Sequence, residues 1–248
     1  MSFEETSQTT VDDIHFILTG MKVCSSVALC GKMSSPNIQC VAPRGQQAHT
    51  LGEYFADTHF TAIYTSDLKR AFTTAQVLCD HQRDPRPSFL SSLLLREQNF
   101  GRAEGIHSSL GIVGYPGLTW EENAARGVYL AMYDDDDRFP EGESIKDLAE
   151  RARSALANFV LPHVWQAAKE GKTGIHIAIV SHGLCINELI SDLLKRSAKK
   201  LEGRKIEYSH LWNTSWTRVV IDIEVGSRET WCQIRQLTSR REPRKANR

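Results

Sequence analysis

A histidine flanked by serine and glycine, Ser181-His182-Gly183, follows an almost wholly apolar run at residues 175–180. The run predicts a strand buried on both faces, and a predicted helix follows at about residues 184–194. A side chain at this junction lies beside free backbone N–H groups and the positive end of a helix, which favours an anion. Taken alone, the segment fits a histidine that hydrogen-bonds in the core equally well.

An arginine stands in the first turn of another predicted helix. The segment Ser66-Asp67-Leu68-Lys69-Arg70-Ala71 follows a short predicted strand at residues 60–64, and either Ser66 or Asp67 could cap the helix. A guanidinium at that place can bind a phosphate through two parallel hydrogen bonds. Pairing of Arg70 with Asp67 on the same turn is the better interpretation of this segment alone.

A carboxylate, Glu97, follows an extended apolar run at residues 89–95, so we expect it to be partly buried. A buried carboxyl with a raised pKa can act as a general acid or base. Taken singly, a solvated loop carboxylate is the simpler interpretation of Glu97.

The elements that must position these groups alternate between strand and helix. The order predicts a single α/β domain over residues 1–248, a three-layer sandwich with a largely parallel central sheet flanked by helices. In such sheets the ligand site lies beyond the carboxyl ends of the strands, which here means after Thr19, around Ser66 and around His182. Strands are predicted at residues 14–19, 60–64, 89–95, 175–180, 215–225 and 231–237, and helices at residues 45–55, 68–79, 120–133, 144–160 and 184–194.

The overall charge gives no reason to expect a nucleic acid or a membrane surface as a partner, because 30 basic residues balance 30 acidic ones. The polar start at residues 1–13 is unlike a secretory signal, and the apolar stretch at residues 14–30 is interrupted, so we expect a cytoplasmic protein. The basic tail at residues 240–245 could direct nuclear import or bind nucleic acid. A disordered solubilising end is the favoured interpretation of that tail.

The cysteines and the acidic run do not predict a metal site. No pair among the six cysteines has the two-residue spacing of a zinc knuckle or a redox motif, which favours free thiols. The acidic run at residues 134–137 could bind a cation, but a solvated loop is the favoured interpretation.

Five motifs in a fixed order together resemble the histidine phosphatase superfamily, the phosphoglycerate mutase-like proteins. The resemblance covers roughly residues 44–225, and five ordered motifs are far more specific than any one of them. The motifs are Gly45-Gln46-Gln47-Ala48; Ser66 to Ala71 with Thr74-Ala75; Leu95, Glu97, Gly101 and Glu104-Gly105; Pro140-Glu141-Gly142-Glu143-Ser144; and Ser181-His182-Gly183.

The resemblance implies a small phosphorylated molecule as ligand and hydrolysis of a phosphate monoester through a phosphohistidine. Arg70 and His182 would bind the phosphoryl oxygens, and Glu97 and His182 are the catalytic candidates, with Glu97 protonating the leaving oxygen. Cations neutralise the developing charge on such a group, and an acid helps the ester oxygen to depart. The resemblance implies no cofactor and no metal.

The chain departs from the family pattern after the first predicted strand. It reads Leu18-Thr19-Gly20-Met21-Lys22 where the family has arginine-histidine-glycine, and no histidine lies between His15 and His49. His15 lies early in the strand, and His49 is predicted to face away from the core. We therefore expect impaired hydrolysis. A non-catalytic phospho-ligand-binding or scaffold protein is one explanation, and a gene-model or splicing error over residues 20–43 is another, favoured by the abrupt loss of resemblance.

The segment after the candidate acid favours a phosphatase-like relative over a mutase. In the family, a mutase carries a dense set of basic residues there to bind a carboxylated substrate. Residues 106–139 contain only Arg126 and Arg138 as basic residues. An unrelated α/β hydrolase is disfavoured because the sequence lacks the glycine-x-serine-x-glycine pattern of a nucleophile elbow.

Overall fold

The computed structural model describes residues 9–21, 44–104, 114–128, 134–196, 216–225 and 230–240. Within them, six strands form one sheet: β1 (Thr9–Met21), β2 (Ala62–Ser66), β3 (Ser88–Ser92), β4 (His176–His182), β5 (Trp216–Val225) and β6 (Thr230–Arg240). The α-helices of the same ranges are α1 (Arg44–Tyr54), α2 (Lys69–Asp80), α3 (Trp120–Ala125), α4 (Ile145–Phe159), α5 (Leu161–Glu170) and α6 (Gly183–Arg196).

The sheet has the strand order β3-β2-β4-β1-β5-β6. The neighbours β3–β2, β2–β4 and β4–β1 pair in parallel, whereas β1–β5 and β5–β6 pair antiparallel. The predicted α/β class with a largely parallel sheet is confirmed, and the last two strands extend it as an antiparallel edge. Because β1, β2 and β4 run in the same direction, their carboxyl ends meet at one edge of the sheet.

Helices cover both faces of the central strands. On β4, Ile177 and Ile179 pack into one core with α4, α5 and α6, whereas Ala178 and Val180 pack into another with α1 and α2. Side chains of a strand alternate between the two faces, so a run that is apolar at every position suits a strand in the middle layer. The apolar run at residues 175–180 therefore reflects the three-layer packing.

The helix α4 begins where the sequence predicts, at a capping box. The side chain of Ser144 accepts from the backbone N–H of Asp147, and the carboxylate of Asp147 accepts from the backbone N–H of Ser144. These two bonds satisfy donors that the first turn of a helix leaves free. Leu148, Ala152 and Leu156 then form the buried stripe of the helix.

Several predicted boundaries are wrong for local reasons. The extended run after residue 88 ends at Ser92, whose side chain accepts from the backbone N–H of Leu94 and begins a 3-10 turn at Leu93–Leu95. The helix α3 ends at Ala125, because the chain turns through Gly127 with a φ of 76°. The sequence analysis did not predict α5, which has a proline in its first turn.

Candidate active site

Arg70 and His182 meet at the carboxyl ends of β2 and β4. The Nε of Arg70 donates to Nδ1 of His182 at 3.1 Å, and the side chain of His182 is fully buried. His182 is the last residue of β4, and Arg70 lies in the first turn of α2 directly after β2. The structure thus brings together the two residues that the sequence analysis selected for phosphate binding, although their roles stay predictions.

The hydrogen bonds of His182 define its tautomer. A guanidinium only donates hydrogen bonds, so Nδ1 of His182 must be an unprotonated acceptor. Its Nε2 lies 2.9 Å from Oγ of Ser66 and therefore carries the proton and donates it. The imidazole is neutral in this arrangement, and Arg70 supplies the positive charge.

Ser66 has a different role from the predicted helix cap. The residue that precedes α2 is Leu68, and no side chain caps that helix end. The Oγ of Ser66 accepts from the backbone N–H of Leu68 at 3.2 Å while it contacts His182. The sequence analysis missed this positioning contact because Ser66 and His182 are 116 residues apart. The motif from Ser66 to Ala71 is the sequence feature that draws attention to Ser66.

Glu97 lies against the N-terminal end of α6. Its carboxylate accepts from the backbone N–H groups of Gln98 at 3.1 Å, Cys185 at 3.2 Å and Leu184 at 3.4 Å. Burial raises the pKa of Glu97, and these three donors together with the charge of Arg70 oppose that effect. Because burial prevails, Glu97 keeps its proton to a higher pH than a surface carboxyl, as a proton donor should.

Two further contacts fix the edge of the site. The Oγ of Ser181 donates to the carbonyl oxygen of Leu95 at 2.7 Å, which joins the end of β4 to the turn that precedes Glu97. Arg96 binds both carboxylate oxygens of Asp67, at 2.7 and 2.5 Å, and this contact lowers the pKa of Asp67. The sequence pattern favours Arg70 as the partner of Asp67, whereas in the structure Arg96, from a segment 29 residues away, takes that place.

The end of β1 lies next to His182 in the sheet. Thr19 is the register partner of Val180, and Met21 is the register partner of His182. His15 pairs with His176, and this pair lies six residues before the Met21–His182 pair along both strands. At the usual rise per residue, the two pairs are about 20 Å apart.

The second histidine considered from sequence, His49, lies on α1 and not in the sheet. Its side chain is exposed, as predicted, and its ring centroid lies 5.4 Å from that of His81. His49 therefore packs against His81, the residue that follows the last turn of α2.

Within the described ranges, no group of three or more histidine, cysteine or acidic side chains could hold a metal ion. The acidic run is partly paired, since Asp136 contacts Lys146 at 3.1 Å. Cys79 and Cys185 are free thiols, while Cys24, Cys30 and Cys40 lie outside the described residues. None of the helices in the described ranges is long and apolar enough to cross a membrane.

A family model and curated relatives match this chain. The model of the histidine phosphatase superfamily (branch 1) matches residues 43–233, a range that begins after β1. The probable phosphoglycerate mutase GpmB of Enterobacter sp. (strain 638) is 32% identical over 170 residues, which are 66% of each chain. The phosphoglycerate mutase of Schizosaccharomyces pombe is 28% identical over 147 residues, 59% of this chain and 63% of its own. The matches thus span just under two thirds of these relatives' lengths.

Solved structures share the fold. The native mycobacterial glucosyl-3-phosphoglycerate phosphatase superposes with a TM-score of 0.58 at 22% identity, covering 92% of this chain and 98% of its own. The same phosphatase in complex with inorganic phosphate gives a TM-score of 0.55 at 20% identity, covering 91% and 95%. A structure described as mycobacterial hydrolase 1 gives 0.57 at 21% identity, covering 92% and 97%.

Proposed function

Because the chain belongs to branch 1 of the histidine phosphatase superfamily, we propose that it binds the phosphoryl group of a small phosphorylated molecule at Arg70 and His182. The observation that carries the proposal is the 3.1 Å contact between these two side chains at the strand ends, with Glu97 close enough for the charge of Arg70 to act on its pKa. Arg70 can bind two phosphoryl oxygens in a bidentate manner, and the Nε2–H of His182 can donate to a third when it exchanges its contact with Ser66 for the ligand.

Glu97 is the proposed proton donor to the leaving oxygen. Burial raises the pKa of Glu97, so the carboxyl keeps its proton to a higher pH than an exposed glutamate does. In a phosphate monoester the leaving oxygen departs more easily when a proton arrives as the P–O bond breaks. The scarcity of basic residues between residues 106 and 139 supports a phosphatase-like substrate over a mutase substrate.

Hydrolysis itself is proposed to be impaired, because no histidine occupies the end of β1. In the family, the nucleophile is a histidine after the first strand, and this chain has Thr19, Gly20 and Met21 there. His15 lies six residues before the end of the strand, and His49 lies on α1. These positions do not support either histidine as a replacement for the missing nucleophile. A non-catalytic role in binding a phosphorylated ligand, or as a scaffold, is the second candidate function.

The proposal treats residues 1–248 as one domain. It is supported by the sheet, in which β1 from the start of the described chain pairs with β5 from its end. The strands β2 and β4 from the middle of the chain belong to the same sheet. A sheet assembled from all parts of the chain is typical of a single folding unit.

Binding and turnover test the two halves of the proposal separately. We expect inorganic phosphate and vanadate to bind the purified chain in calorimetry, and a generic aryl phosphate to be hydrolysed no faster than by the His182→Ala variant. Absence of phosphate binding would refute the proposed site. Turnover that collapses in His182→Ala would refute the proposed impairment and require a substitute nucleophile.

Restoring the histidine gives a sharper test of impairment. Position 21 is in register with His182, so a Met21→His variant places an imidazole on the neighbouring strand. We expect Met21→His to gain aryl phosphate hydrolysis, and Met21→Gln to gain none. Equal rates for these two variants, with phosphate binding retained, would show that an imidazole at position 21 does not restore a nucleophile and would favour the non-catalytic role.

A further inference from the structure

Glu97 lies in irregular backbone that depends on other elements for its hydrogen bonds. The stretch from residue 93 to residue 99 contains only one 3-10 turn, at Leu93–Leu95, and Leu95 and Gln98 within it are buried. Backbone carbonyl groups in such a stretch need partners from elsewhere in the molecule. Much of that requirement is met by Arg151 on α4, which no motif in the sequence identified.

Arg151 donates to the carbonyl groups of Glu97 and of three residues before it. Its Nη1 lies 3.0 Å from the carbonyl oxygen of Leu94 and 2.8 Å from that of Arg96, with that of Leu93 at 3.5 Å. Its Nη2 lies 3.1 Å from the carbonyl oxygen of Glu97 itself. The side chain of Arg151 is only 15% exposed. One guanidinium therefore holds the main chain of the candidate acid and of the residues before it.

Glu143 continues the same arrangement beyond Glu97. Its two carboxylate oxygens accept from Nε and Nη2 of Arg151 at 2.9 and 2.8 Å. One of these oxygens also accepts from the backbone N–H of Asn99, and the backbone N–H of Glu143 donates to the carbonyl oxygen of Asn99. The side-chain amide of Gln98 donates to the carbonyl oxygen of Glu143 at 2.8 Å. The pair thus fixes the backbone on both sides of Glu97.

We propose that Arg151 and Glu143 are positioning residues for Glu97, an inference that rests on the proposed function of Glu97 as the acid of this site. The two residues hold the main chain of Glu97 from the α4 side, while the N–H groups at the start of α6 hold its carboxylate. A proton donor must lie within hydrogen-bond reach of the leaving oxygen, and a displacement of about 1 Å can cost about a hundredfold in rate.

Arginine is the side chain that this geometry requires. A guanidinium presents five N–H donors in one plane, which allows the bidentate contact to Glu143 and the carbonyl contacts at the same time. A lysine has three N–H donors on a single nitrogen, so it cannot contact the carboxylate of Glu143 and all of these carbonyl oxygens at the same time. An Arg151→Lys variant therefore keeps the positive charge but loosens the segment that carries Glu97.

Loosening the segment should change the environment of Glu97. Charged and titratable groups surround Glu97: Arg70 lies on α2, Cys185 on α6, Arg151 on α4, and Glu143 in the turn before α4. Burial is the largest influence on Glu97 and raises its pKa. Water that enters a loosened segment reduces this burial, so the pKa of Glu97 should fall toward its ordinary value.

The test is a carbon NMR titration of the unliganded chain, with glutamate labelled at the carboxyl carbon. The Glu97 signal is identified by its loss in Glu97→Gln. We expect the titration midpoint of Glu97 to fall in Arg151→Lys, because water that enters the loosened segment reduces the burial that raises it. The matched control is Arg153→Lys on the same helix as Arg151; it loosens an ion pair with Asp192 of α6 and should leave the Glu97 midpoint unchanged.

An unchanged or raised midpoint in Arg151→Lys would overturn the positioning role and leave Arg151 with a purely structural one. If Arg151→Lys does not fold, Glu143→Asp carries the same expectation, because it keeps the negative charge near Glu97 while its shorter side chain cannot hold Arg151 and the N–H of Asn99 as Glu143 does. The titration needs neither ligand nor turnover. A failure of the proposed function would instead appear as an absence of phosphate binding in the unaltered chain.

Discussion

Nδ1 of His182 accepts a hydrogen bond from Nε of Arg70 at 3.1 Å, so the two side chains share one contact that exists only while the histidine is neutral at that nitrogen. The contact joins the end of β4 to the first turn of α2. It aligns the guanidinium beside the imidazole before any ligand arrives. Preorganisation of this kind reduces the entropy that is lost on binding.

Loss of the guanidinium should weaken phosphate binding. A charge-assisted hydrogen bond to phosphate contributes about 1.5–3 kcal/mol, so we expect Arg70→Gln to weaken phosphate affinity about tenfold or more. Calorimetric titration with inorganic phosphate measures this change. The control is Arg83→Gln, which removes an exposed arginine paired with Asp57. Equal affinities in the two variants would contradict the binding role of Arg70.

Ser66 should stabilise the fold by accepting the hydrogen bond from Nε2 of His182. In Ser66→Ala the buried Nε2–H of His182 loses its acceptor, so we expect a loss of about 1–3 kcal/mol in the free energy of unfolding. Urea denaturation measures the loss, and nitrogen NMR of the ring reports the tautomer. Ser92→Ala is a matched control, because Ser92 Oγ also accepts from a backbone N–H two residues on, that of Leu94, at 3.2 Å. A loss no larger than that of Ser92→Ala would contradict the role of Ser66.

Glu97 should make the stability of the chain depend on pH in a definite direction. The folded chain holds the Glu97 proton more tightly than the unfolded chain, because burial raises the pKa of Glu97. Its contribution to stability is therefore full below the ordinary carboxyl pKa of about 4.3, and it declines as the pH rises through the raised value. We expect the unfolding free energy of Glu97→Gln, measured relative to the unaltered chain, to increase across that window.

Urea denaturation at a series of pH values measures this difference. The exposed Glu53→Gln variant corrects for the general effect of removing a carboxylate. If the unfolding free energies of Glu97→Gln and the unaltered chain differ by the same amount at every pH, burial does not control the proton affinity of Glu97.

Gly101 should not tolerate a side chain. Its φ is 53°, and a Cβ at this position would lie 2.1 Å from the carbonyl oxygen of Pro140. We expect Gly101→Ala to cost about 3 kcal/mol or more in unfolding free energy, from backbone strain together with the clash. Gly117 also has a positive φ, of 78°, but open space around a Cβ. Gly117→Ala therefore measures the backbone strain alone. Equal losses of unfolding free energy in Gly101→Ala and Gly117→Ala would contradict the predicted clash between a Cβ at position 101 and the carbonyl oxygen of Pro140.

The sequence by itself determined the fold class and the chemical candidates. The apolar run before Ser181 predicted a strand buried on both faces, because a middle-layer strand needs apolar side chains at every position. The apolar stripe after Ser144 predicted α4, because the spacing of apolar residues along a helix is a local property. Arg70, Glu97 and His182 were selected from strand ends and motifs, without any knowledge of how near they lie to one another.

Only the tertiary structure decided which side chains support those candidates. The contact of Ser66 with His182 and that of Arg151 with Glu97 join residues 116 and 54 positions apart. Contacts of this kind depend on the register of parallel strands and on how a helix packs against the sheet edge. No local pattern encodes the register of strands that are joined by long crossovers, because it is set by the packing of the whole core.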